Sequence, residues 1–120
     1  MGFVMSEVFW MPPEAIAASN ALPRPQDVWQ LGILALELRE GAPPHAGAVP
    51  LRVVNLIPMG PAPRLRHAVS SSELLADFVA KCCNKDPQAR PTVEALLQHP
   101  FIAAAESTDP QELVAFAVEV

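Results

Sequence analysis

Fifteen residues, Asp27 to Gly41 in "DVWQLGILALELREG", constrain this chain more than any other stretch. Val28, Trp29, Leu31, Ile33, Leu34, Ala35, Leu36 and Leu38 leave no wide polar face over most of the block. A helix apolar on nearly all sides belongs inside a core or a bilayer, and this one is too short to span a bilayer. Asp27 reads as its N-cap, and Gly41 followed by Pro43 and Pro44 as its stop. Everything else in the chain must therefore be arranged around it.

The material for that cover is present. Hydrophobic residues make up 51% of the 120, and the mean hydropathy is +0.24, so disorder is not the default. The 14 prolines keep the elements short. "VPLRVVNLI", Val49 to Ile57, reads as a short helix ending before Pro58 and Gly60, and "PAPRLRHAV" reads as a proline-spaced, solvated basic loop. In "SSELLADFVAKCCNKD", Leu74, Leu75, Phe78, Val79, Cys82 and Cys83 follow helical spacing, with Ser70 or Ser71 as cap and Lys81 and Lys85 near the end. "TVEALLQHPF" starts at Thr92 and stops at His99-Pro100, and a last short helix is expected over residues 111–117, behind Asp109-Pro110. There is no internal repeat and no alternating strand, so the fold reads as all-α.

Charge and cysteine usage narrow the function. A net charge of −5 argues against nucleic acid. Adjacent Cys82 and Cys83 cannot form an ordinary bridge and read as small core hydrophobes in a reducing, cytoplasmic setting. No apolar run is long enough for a membrane span. Met1-Gly2 matches a loose acylation pattern, but no basic cluster follows, and it reads as coincidence. His45, His67 and His99 are too scattered, relative to each other and to the cysteines, for a metal site.

At the front, "WMPPEAI" sets Pro12 and Pro13 before a helical turn from Glu14, with Pro13 suited to the first helical position. This stretch, then "DVWQLGILALELREGAPP", "LRVVNLIPMGPAPRL" and "ELLADFVAKCCNKDPQARPTVEALLQHPFI", resembles in order and spacing the second half of a eukaryotic protein kinase domain. The resemblance covers Val8 to Ile102. It is closest to Ser/Thr kinases of the STE20 group, especially the germinal-centre kinases. It implies a partial kinase domain over residues 1–104, the helical C-terminal lobe, with a tail at 105–120. It further implies that Trp10, Pro13 and Glu14 end the activation segment. Glu14 would pair with Arg90 of "DPQARP", and Asp27 would be the aspartate that opens the central helix and braces the catalytic loop.

The departures from the family are as informative. ATP and magnesium, the family's cofactors, need a glycine loop, a phosphate-binding lysine, metal-binding carboxylates and a catalytic aspartate. The five glycines form no G-x-G, Lys81 and Lys85 both fall in the third helical block, and no aspartate stands in a His-Arg-Asp or Asp-Phe-Gly context. No cofactor and no catalytic residue is therefore expected within these 120 residues. Glu7 takes the place of the family's substrate-loop threonine in an ungapped reading, whereas a one-residue insertion would put Ser6 there. Pro12 replaces the usual alanine.

Three functions compete. The chain is part of a Ser/Thr kinase, which a start inside the activation segment favours; or a pseudokinase-derived binding module, which Glu7 and Pro12 favour; or an unrelated helical interaction domain, which the ordered motifs disfavour. Partners are expected to be proteins or the remainder of a kinase domain. With the central helix covered on one side only, Trp29, Leu36 or their neighbours should lie near the surface and drive self-association.

Overall fold

A computed structural model describes residues 5–18, 21–66 and 73–106, and every regular element among them is helical. A 3₁₀ segment, Met5–Trp10, leads into α1 (Pro13–Ala17), the long α2 (Pro23–Glu40), α3 (Pro50–Met59) and α4 (Glu73–Cys82). A 3₁₀ turn, Pro87–Ala89, then precedes α5 (Val93–Leu97) and α6 (Pro100–Glu106). The expected cap at Ser70 or Ser71, His67, and the expected helix at 111–117 lie outside the described residues.

α2 is the axis of the molecule. It begins five residues earlier than expected, with Leu22 rather than Asp27 at the N-cap position, so Asp27 is not the cap but sits in the second turn. Pro23 and Pro25 explain the difference, because the first turn of a helix has no use for their missing N–H groups. At the other end Gly41 takes a left-handed φ of 89° and donates its N–H to the Glu37 carbonyl at 2.7 Å, the stop expected of it.

One side of α2 builds the core. Val28, Trp29, Ile33 and Leu36 are buried against Phe78, Val79, Cys82 and Cys83 of α4 and its end, Val53 and Ile57 of α3, and Val8, Leu65 and Leu96. Close approach of α2 to α4 depends on Gly32: a Cβ there would lie 2.6 Å from the Cys82 Cβ and 2.7 Å from the Cys83 sulfur. Both thiols are free and buried, and desolvation pushes each pKa up to about 12, so they pack as neutral hydrophobes. The Cys83 thiol also faces the Trp29 carbonyl at 3.8 Å.

On the opposite side of α2 the expected exposure falls on the neighbours of Trp29 and Leu36 rather than on these two residues. Trp29 and Leu36 are not near the surface; they are 1% and 3% exposed. The exposed stripe is instead Leu31, Leu34 and Leu38, at 39%, 47% and 78%, in line with exposed Asp27 at i, i+4, i+7 and i+11. A uniformly apolar helix gives no sign of which side its neighbours will take.

Three smaller corrections follow the same logic. α3 does not end before Pro58 but runs through it to Met59; in the last turn a missing N–H forfeits a single bond, and Gly60 N–H still reaches the Leu56 carbonyl at 2.9 Å. Leu74 is exposed, so the buried stripe of α4 is narrower than its sequence spacing implied. Lys85 lies past the end of α4, and its ammonium donates to the carbonyls of Pro58 and Gly60 at 2.7 and 2.6 Å. It therefore complements the C-terminus of α3 rather than of its own helix.

Candidate functional site

The residues singled out at the front of the chain converge on one place. Pro12 lies extended at φ −73°, ψ 159°, and Pro13 starts α1, so the two buried prolines aim the first turn at the body of the molecule. Glu14 is the next residue. Its partner comes from the far end of the chain, where two short-range bonds shape the turn: Asn84 Oδ1 accepts from Asp86 N–H at 2.9 Å, and Asp86 Oδ1 accepts from Gln88 N–H at 3.0 Å.

Arg90 leaves that turn and is fully enclosed. Its Nη1 donates to Glu14 Oε2 at 2.6 Å and its Nη2 to Glu14 Oε1 at 2.7 Å, a two-pronged pair. Nη1 also donates to the Pro25 carbonyl at 2.9 Å and Nε to the Asn84 carbonyl at 2.7 Å. The guanidinium stands 5.0 Å from the centre of the Trp29 ring. The Arg90 side chain is 0% exposed and that of Glu14 19%, so this charge pair is shielded from solvent on the arginine side. It clamps α1, the start of α2 and the 84–90 turn together across 76 residues of sequence.

Trp10 supplies a second tie that the sequence did not disclose. Its indole Nε1 donates to Glu37 Oε1 at 3.0 Å, fixing the 3₁₀ segment to the last turns of α2, and Phe9 packs edge-on against it. An acid in an otherwise apolar block was the one available signal. Glu7 is exposed on the 3₁₀ segment, apart from the clamp, and Asp27 is exposed on the leucine stripe of α2. The structure thus brings Glu14 and Arg90 together with Trp29, and leaves Glu7 and Asp27 outside.

A third polar arrangement sits at the far end. His99 is buried; its Nδ1 accepts the Phe101 N–H at 3.0 Å, so its Nε2 carries the proton donated to Asp77 Oδ2 at 2.7 Å. In that tautomer the ring caps α6 while its other nitrogen reaches α4. Asp77 also meets Lys81 at 2.9 Å, and these two partners hold its pKa below the ordinary carboxylate value. Of the described histidines, His99 caps α6 as above and His45 stands half-buried in the loop after α2.

Among the described residues no cluster of three His, Cys, Asp or Glu side chains is placed to hold a metal ion. Lys85 is spent on carbonyls and Lys81 on Asp77. No helix among the described residues is long and apolar enough to cross a membrane.

Comparison with known proteins agrees with this architecture. The protein kinase domain family matches residues 3–102. Myosin-IIIa of Homo sapiens is 45% identical over 105 residues, and Myosin-IIIa of Mus musculus 44%. Each match covers 84% of this chain but 6% of the relative, so the chain spans a small part of the curated proteins it resembles.

Proposed function

Since the chain belongs to the protein kinase domain family, we propose that it forms the helical C-terminal-lobe part of a Ser/Thr kinase domain of STE20 type, supporting phosphoryl transfer without performing it. The Glu14–Arg90 clamp carries this reading. It joins the end of the activation segment to the core at the place the family resemblance assigns, and it explains a costly enclosed charge by a mechanical role: holding the segment that presents protein substrate. In this reading Glu37 anchors Trp10 of the same segment to the last turns of α2, and the leucine stripe with Asp27 is the seat of the catalytic half of the domain.

The reading makes a plain expectation for the 120-residue chain. Isothermal titration with Mg·ATP should show no saturable binding, and a radiolabel transfer assay no phosphorylation of a generic substrate, because the family's glycine loop and its His-Arg-Asp and Asp-Phe-Gly motifs are not among these 120 residues. Saturable nucleotide binding would overturn it.

Exposed Glu7 favours a second reading, a pseudokinase-derived binding module, because in an ungapped match to the family an acid stands where the threonine helps fix the catalytic aspartate, whereas a one-residue insertion would put Ser6 there. The two part at the level of the whole protein. Sequencing the transcript upstream of Met1 for glycine-loop, lysine and Asp-Phe-Gly motifs in frame supports the kinase reading, whereas a stop codon there supports the module.

A further inference from the structure

The exposed stripe of α2 carries charge as well as leucine. Asp27 stands at its N-terminal end, in line with Leu31, Leu34 and Leu38, and Arg39 follows Leu38 on the flank. Both charged residues are exposed, and neither forms an ion pair with another described residue. Twelve residues separate them, about 18 Å along the helix, with the three leucines between. One end of the stripe is thus negative and the other positive.

Such a stripe is complementary to itself in one direction only. Two copies of α2 laid parallel would set Asp27 against Asp27 and Arg39 against Arg39. Laid antiparallel, about a two-fold axis at the level of residue 33, they set Asp27 of each copy against Arg39 of the other. In that register Leu31 and Leu34 of both copies meet around the axis. Each Leu38 falls between Asp27 and Leu31 of the opposite copy. Arg24, also exposed, falls at the level of residue 42, past the last turn of the opposite helix, so it faces no cation directly. The leucines supply the gain from leaving water, while the charged ends select direction and register.

We propose that α2 pairs with α2 of a second copy of this chain, antiparallel, with Asp27 of each copy meeting Arg39 of the other. A single helix face is a small interface, so the pairing is reversible and concentration-dependent. The proposal needs the exposed stripe and not the phosphoryl-transfer reading. In that reading the same stripe seats the catalytic half of the domain, so that half and a second copy exclude one another.

Sedimentation equilibrium of the 120-residue chain should show a monomer–dimer equilibrium. Asp27→Arg and Arg39→Asp, each at an exposed position, should each weaken dimerisation about tenfold with helical dichroism unchanged, because either one makes both end contacts repulsive. An equimolar mixture of the two variants should recover the dimer, since the mixed pair again has opposite charges at both ends. Nonspecific apolar clustering would not show that rescue. Open-ended association insensitive to either charge, single variants with the affinity of the parent chain, or a mixture no better than its components would sink the proposal. A monomer at every concentration would do the same, and would mean that the stripe is covered from within the chain. None of these outcomes bears on the Mg·ATP test, so the two readings fail separately.

Discussion

At the scale of single residues the Glu14–Arg90 pair dominates, because one partner is fully enclosed. Glu14→Ala leaves the guanidinium buried without its counter-charge and should cost about 3–5 kcal/mol. Arg90→Ala also removes the bonds to Pro25 and Asn84 and the stack on Trp29, and should cost at least as much. Removing both should cost less than the sum, which a denaturant double-mutant cycle measures; additive losses would mean the two act separately. A second residue-scale expectation concerns acid. The pKa of His45 is lower folded than unfolded, so the unfolded chain binds more protons over that interval. Stability should therefore fall as pH drops below about 6.5 and level off beneath the folded value. His45→Gln should remove that part of the pH dependence, and an unchanged stability profile between pH 7 and 5 would show the ring contributes nothing.

At the scale of elements the decisive contact is α2 on α4. Gly32 allows it, and its neighbour there is the rigid Cys82 Cβ rather than the end of a flexible side chain. Gly32→Ala gains about 0.8–1 kcal/mol of helix propensity but must push the helices apart, at about 1–3 kcal/mol. The net should be destabilising, read as a lowered denaturation midpoint, and only partly relieved by Cys83→Ala, which removes the sulfur at 2.7 Å but leaves the Cys82 Cβ at 2.6 Å. A stabilised variant would show that the two helices can slide. Lys85 makes the same point about elements: a lysine expected to serve its own helix reaches across to α3, because the turn after Cys83 carries it there.

For the whole molecule the open question is the uncovered side of α2. Leu31, Leu34 and Leu38 form a continuous exposed stripe, the kind of patch that marks a partner surface or an aggregation liability. The isolated chain should bind an apolar-surface dye, melt with poor cooperativity and self-associate on a sizing column. Changing all three leucines to glutamine should reduce dye binding and self-association together, since none contributes to the buried core. A sharp two-state melt of a dye-free monomer would mean that the chain closes its own core.

Much of this was legible in the order of residues, for reasons that are local. Prolines at the start of helices, Gly41 at the end of α2 and Thr92 at the cap of α5, whose hydroxyl accepts the Ala95 N–H at 3.1 Å, act within a few residues of themselves. The four motifs in register carried the family, and with it the pairing of Glu14 with Arg90. What the sequence left open was direction. Two prolines moved the start of α2 and turned Asp27 from a cap into a mid-helix side chain; a helix apolar all round did not say that Trp29 would be inside and Leu31 outside. Those outcomes depend on which neighbours arrive, and pairs such as Trp10 with Glu37 or Lys85 with two carbonyls lie 25 to 27 residues apart. Periodicity reports that a residue is apolar or charged; only packing in three dimensions decides what it meets.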